Sequence, residues 1–118
     1  HEAADMLAVG LRALCHVALV ALEEGGNPDL VDFLTPVCKH VCTEAGIRAA
    51  NLGIQVLGGY GYLREYRVEQ TFRDSRIAAI YEGTNGIHAL TIATRMLRNR
   101  NGAAASAFMM RPPSLIGW

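Results

Sequence analysis

An excess of charge of either sign is the first thing missing. Eleven Lys and Arg balance eleven Asp and Glu over 118 residues, so the chain offers no broad field to nucleic acid or to an anionic membrane surface. Proline is sparse at four residues, and apolar residues make up 51%; this is the composition of neither a disordered nor a fibrous chain. The length suits one domain with a modest core. Cysteine is limited to Cys15, Cys38 and Cys42. An odd number without C-x-x-C spacing argues against a disulfide scaffold and for a reducing compartment, the cytoplasm ahead of the mitochondrial matrix. Cys38 and Cys42 stand four apart on one helical face and read as small buried hydrophobes. His40 between them points about 160° away on a helix of ~3.6 residues per turn, so no metal site is expected. No run of 18 uncharged apolar residues occurs, and no membrane-inserted helix is expected. The chain starts on His1 and enters a helical pattern with neither cap nor signal peptide, as expected of a piece of a longer chain.

What is present is helical periodicity. Leu7, Leu11, Leu14, Ala18 and Leu22 recur at steps of three and four, one apolar face of a helix over residues 2–24 that Gly25, Gly26, Asn27 and Pro28 end. The pattern resumes as Leu30, Leu34, Val37, Val41, Ala45, Ala49, Leu52 and Val56. Pro36 interrupts it, and the spacing predicts a helix capped at Thr35 with Pro36 in its first turn, after one preceding helical turn. That helix stops at the Gly-rich run 58–62, where glycines supply left-handed or strained backbone and Tyr60, Tyr62 and Tyr66 are expected to staple the turn to the core. A short amphipathic helix over 68–76 turns Val68, Phe72 and Ser75 inward, with Arg67, Arg73, Asp74 and Arg76 as an ion-pair cluster. Thr84 is the expected N-cap of a last helix over 85–98, with Ile87, Leu90, Thr94 and Leu97 as its inner stripe. Four helices with short connections imply an all-α, antiparallel four-helix bundle over residues 1–98, and residues 99–118 an irregular tail.

The chemistry-bearing candidate is Glu82, on the turn that joins the last two helices. A glutamate before a helix often does no more than complement the helix dipole. Here Tyr81 supplies an aromatic wall, and Gly83 leaves bare backbone whose N–H groups suit a developing oxyanion. A carboxylate beside oxyanion donors is the pair needed to remove a proton alpha to a carbonyl, and burial would raise its pKa toward a useful range. No second carboxylate lies nearby for glycosidase chemistry. There is no G-x-S-x-G or H-E-x-x-H, and no strand precedes the Gly-rich run as a Rossmann site requires.

Three stretches carry a family resemblance: Gln55-Val-Leu-Gly-Gly-Tyr-Gly-Tyr62; Val68-Glu69 with Arg73-Asp74; and Ile80-Tyr-Glu-Gly-Thr-Asn-Gly-Ile87. Together, at this mutual spacing, they resemble the C-terminal helical domain of acyl-CoA dehydrogenases over residues 2–98. The Thr84-to-Ile87 variant is most similar to the subgroup that includes methylmercaptopropionyl-CoA dehydrogenase-like proteins. The resemblance implies an FAD-dependent oxidoreductase that introduces an α,β double bond into an acyl-CoA thioester. Glu82 would take the α-proton while the β-hydrogen passes to the flavin, and Tyr81 and Gly83 would line the acyl site. Thr84 matches a position that contacts FAD; Gln55, Gly58 and Gly59 match positions that meet FAD bound mainly by a neighbouring subunit. Gly86 departs from the polar residue many members carry there. The resemblance further implies a homo-oligomer, dimer or tetramer, that passes electrons to an electron-transfer flavoprotein or another acceptor. It also implies N-terminal helical and middle β-domains that this chain does not contain, without which turnover is not expected. The contrasting expectation is a non-catalytic helical module that mediates oligomerisation, with Glu82 only a helix-end charge.

Overall fold

A computed structural model describes residues 2–96 together with 102, 106, 109 and 110. The described chain holds helices and no strand: α1 (Glu2–Glu23), α2 (Pro28–Leu57), two short 3-10 turns (Gly58–Tyr62 and Arg64–Tyr66), α3 (Val68–Ile77) and α4 (Asn85–Thr91). Beyond Thr91 the last helix widens into a π-type turn, Ile92–Met96. The expected tail over 99–118 lies almost wholly outside the described residues.

The spine is α2, whose 30 residues reach about 45 Å at 1.5 Å per residue. It packs α1 along its N-terminal half, α4 at its middle and α3 with the Gly-rich turn toward its C-terminal end. Its start differs from the expected cap at Thr35. Asn27 accepts from the Asp29 backbone N–H at 3.0 Å, Pro28 takes the first position, and the helix runs without a break through Pro36. A proline inside a helix costs about 3 kcal/mol. Burial of Leu30, Leu34 and the Pro36 ring, at about 1.5–3 kcal/mol for each leucine, offsets that cost and holds one register throughout. Thr35, no longer a cap, donates to the Val31 carbonyl at 2.8 Å.

The core between α1 and α2 gathers Ala21, Leu30 and the fully buried Leu34, with Leu14, Val17, Ala18, Val31 and Phe33 packed against them. Leu14 and Ala18 match the expected stripe of α1, whereas Leu7 and Leu22 are exposed. By length and composition alone, residues Asp5–Glu23 are apolar enough to cross a membrane, contrary to the expectation of no such helix, because the single Arg12 lowers the mean hydropathy of the stretch only slightly.

At the other end of α2 the packing face has turned. Ala50 is buried and Leu52 and Val56 stand in solvent, because this half meets α3 and the Gly-rich turn. Of the glycines there, Gly58 adopts a positive φ of 58°. Gly61 serves close approach instead: a Cβ on it would lie 2.7 Å from the Ile54 carbonyl oxygen. Tyr60 and Tyr66 pair with ring centroids 5.4 Å apart, but both, like Tyr62, are exposed and staple nothing to the core. Helix α3 turns Val68, Phe72 and Ser75 inward as expected, and Asp74 accepts from Gln70 at 2.7 Å.

Candidate functional site

The turn before α4 is held by a polar stripe on α2. Lys39, His40, Thr43 and Glu44 fall at steps of one and three on a single side of that helix, and all four reach for one residue, the buried Asn85. Its Oδ1 accepts from Lys39 Nζ at 3.1 Å and Thr43 Oγ1 at 3.1 Å. Its Nδ2 donates to Thr43 Oγ1 at 2.9 Å and Glu44 Oε1 at 2.8 Å. Its backbone N–H donates to the Ala79 carbonyl at 3.0 Å, and its own carbonyl accepts from His40 Nδ1 at 3.2 Å. A buried amide satisfied on every side fixes one geometry. His40 thus looks toward α4 while Cys38 and Cys42 look toward α1, as their spacing predicts: Cys38 Sγ lies 3.9 Å from the Leu14 carbonyl oxygen and Cys42 Sγ 3.6 Å from Cys15 Sγ. All three thiols are free. Among the described residues no cluster fit to hold a metal ion occurs.

On that anchor sits the turn itself. Glu82 adopts a left-handed φ of 55° and Gly83 a φ of 90°. Such a conformation is uncommon for a residue with a side chain and marks a constrained position. His88 Nε2 lies 3.0 Å from the Glu82 carbonyl oxygen, and since a carbonyl only accepts, this ring nitrogen carries the hydrogen. Lys39 Nζ donates to the Gly83 carbonyl at 3.0 Å and sits 6.0 Å from the centre of the Tyr81 ring. Thr84 caps α4 as expected, accepting from the Ile87 N–H at 3.2 Å. Its Oγ keeps a hydrogen to donate.

Two expectations for this region change. The backbone at Gly83 is not bare on both sides, since a Cβ there would fall 3.0 Å from His88 Nε2. The inner stripe of α4 is Asn85, His88, Thr91 and Ile92, while Ile87 and Leu90 are exposed; Leu97 lies outside the described residues. Apolar periodicity pointed to the wrong face because α2 meets α4 with polar side chains. The signal that would have shown it is that same polar stripe, Lys39, His40, Thr43 and Glu44, set midway along a helix otherwise read as apolar.

The Glu82 carboxylate is exposed and has no hydrogen bond or ion pair among the described residues. The N–H groups of Glu82, Gly83 and Thr84 likewise meet no acceptor among the described residues. Tyr81 stands beside them, half exposed. Gln55, Gly58 and Gly59 are not part of this cluster. Asn85 meets α2 at residues 39 to 44, and Gln55 lies 11 positions further along, roughly 16 Å at 1.5 Å per residue. They stand exposed at the C-terminal end of α2, where a Cβ built on Gly58 or Gly59 meets only open space. A cavity of about 540 Å³ near that end, lined by Ile54, Tyr62, Arg64, Phe72 and Arg73 among others, includes neither group.

A left-handed glutamate on a pinned turn and a Gly-rich turn at the far end of the same helix are thus two separate, fixed stations. Residues 1–97 match the profile of the acyl-CoA dehydrogenase C-terminal domain. The chain belongs to the acyl-CoA dehydrogenase family. As a domain of that family it is 40% identical over 79 residues to 3-methylmercaptopropionyl-CoA dehydrogenase of Ruegeria pomeroyi, a match covering 67% of this chain and 13% of that protein. It is 31% identical over 97 residues to the caffeyl-CoA reductase-Etf complex subunit CarC of Acetobacterium woodii, covering 82% of this chain and 23% of that one. The chain therefore spans less than a quarter of the length of these relatives. Among solved structures, a chain from work on the electron transferring flavoprotein of Acidaminococcus fermentans superposes with a TM-score of 0.74 at 24% identity. That match covers 83% of this chain and 25% of the other and shares the all-α fold.

Proposed function

We propose that this acyl-CoA dehydrogenase domain carries the catalytic base of an FAD-dependent enzyme that introduces an α,β double bond into an acyl-CoA thioester, and that Glu82 is that base. One observation carries the reading. Glu82 is held left-handed, and among the described residues its carboxylate has no partner and the N–H groups of the same turn meet no acceptor. A carboxylate placed to take an α-proton next to donors for the thioester oxygen is what enolate formation needs. Gly83 and Tyr81 border the space in front of it. When bound, FAD supplies the acceptor for the two electrons that leave with the β-hydrogen. Exposed Thr84 on the turn suits one cofactor contact, and Gln55, Gly58 and Gly59 suit another. Their separation along α2 supports the reading that these two sets serve different flavins, the second bound mainly by a neighbouring subunit of a homodimer or homotetramer.

The exposed carboxylate fits a turn that the rest of the full-length protein covers. The N-terminal helical and middle β-domains of the family are the expected cover. Electron-transfer flavoprotein is the expected acceptor, a relative being named as part of an Etf complex. Three free thiols fit a reducing compartment, the cytoplasm or the mitochondrial matrix, with the cytoplasm favoured. In the full-length protein, Glu82→Gln is expected to retain FAD and slow acyl-CoA-dependent flavin bleaching by roughly a thousandfold. Bleaching at the parental rate would instead favour a helical assembly module with Glu82 as a surface charge.

A further inference from the structure

We propose that His88 and Lys39 are positioning residues for Glu82, acting as a clamp on two consecutive carbonyls of its turn. The inference rests on Glu82 being the base. Left-handed backbone at a residue with a side chain is unfavourable by itself, and it persists only where the surroundings over-determine it. Here the over-determination is visible. The Glu82 carbonyl is held by His88 Nε2 at 3.0 Å from the side of α4. The next carbonyl, that of Gly83, is held by Lys39 Nζ at 3.0 Å from the side of α2. Both donors are themselves fixed. Lys39 also donates to the buried Asn85 side chain at 3.1 Å, and the backbone N–H of His88 donates to the Thr84 carbonyl at 3.0 Å.

With both carbonyls tied down, the peptide planes on either side of Gly83 cannot rotate, and the Cα–Cβ direction of Glu82 is set by its fixed φ. Glycine at 83 is part of the device. Its φ of 90° strains any residue with a side chain, and a Cβ there would press against the His88 ring at 3.0 Å. A base misplaced by about 1 Å can lose roughly a hundredfold in rate, so releasing either carbonyl should show in the chemical step. Substrate affinity should hold, since neither donor needs to touch the acyl-CoA.

The test uses the full-length protein with FAD bound and follows stopped-flow flavin reduction by an acyl-CoA that the parent oxidises, alongside acyl-CoA affinity by titration. His88→Leu removes the donor, whereas His88→Gln keeps an N–H of similar reach. Lys39→Met removes the ammonium and keeps most of the stem. The expected result is a reduction rate at saturating substrate roughly ten- to a hundredfold lower for His88→Leu and Lys39→Met, affinity within about threefold of parental, and recovery of most of the rate in His88→Gln. His88→Leu and Lys39→Met reducing flavin at the parental rate would overturn the clamp, and so would His88→Gln being as slow as His88→Leu. If Lys39→Met sheds its flavin or unfolds, the His88 pair decides alone. Failure of the clamp and failure of the base are distinguishable: the first leaves Glu82→Gln inactive with the His88 variants fast, and the second leaves Glu82→Gln itself fast.

Discussion

At the scale of single residues, the side chain that does most to build the site is not the one that would react. Asn85 closes six polar contacts from a buried position, and those contacts anchor the turn on which Glu82 stands. Removing the amide leaves Lys39, Thr43 and Glu44 facing a hole they were arranged to fill, and an orphaned polar group in such a place costs about 1–3 kcal/mol. Asn85→Ala is therefore expected to lower the stability of the chain by about 2–3 kcal/mol in urea denaturation followed by helical circular dichroism. A change below about 0.5 kcal/mol, the ordinary range for surface substitutions, would mean that water replaces the amide and that the network is not what fixes the turn. Glu82, Gly83 and Thr84 were legible in the sequence because turn and cap chemistry is local. Asn85 was not. Its partners on α2 lie more than forty positions away, and nothing near it in the chain tells a buried asparagine from one on the surface.

At the scale of elements, α1 and α2 meet through thiols as well as leucines. Cys38 is pushed up to about 11 by burial first and by Cys15 beside it. Cys42 is pushed up to about 11 by burial, with a hydrogen bond to Cys15 next in weight. A thiol whose proton is held more tightly in the fold than in the unfolded chain stabilises nothing new at neutral pH. Below the ordinary value of 9.0 both states keep the proton and the helix contact has its full strength. As the pH rises from there toward 11, only the unfolded chain can ionise freely, and stability falls. The denaturation midpoint of the chain should decline over that window, and Cys38→Ala with Cys42→Ala should flatten the part of the decline that lysines and tyrosines do not cause. Equal slopes with and without the two thiols would contradict their burial at this contact. The helices themselves were readable from periodicity, but α2 illustrates the limit of that reading. Pro36 looked like a first turn because proline favours one, and the burial of Leu30 and Leu34 on α1 outweighs that local preference.

At the scale of the molecule, the chain buries little for its size. Among the described residues, the buried apolar side chains are Ala21, Leu30, Leu34, Pro36, Ala50 and Ala79, while Met6, Leu7, Leu22, Leu52, Val56, Ile87 and Leu90 lie open to solvent. Apolar surface of that extent on a chain spanning 51 × 33 × 21 Å favours covering by other protein. The isolated chain is expected to self-associate as its concentration is raised, seen as a rising mass in sedimentation velocity, and to purify without stoichiometric flavin. A monodisperse, yellow monomer would show that the exposed faces need no cover and that cofactor binding is complete within this domain.

The amino-acid sequence by itself determined the helical class, the turns that separate the helices and the residues of the Glu82 turn, because caps, glycines and apolar spacing act over a few residues. Which face of each helix is buried was decided only by the tertiary structure. A helix presents several stripes, and the one that ends up inside depends on the partner it meets. On α4 that partner is a polar row from α2, so hydrogen bonds rather than hydrophobicity chose the face, and the same choice fixed where Glu82 stands.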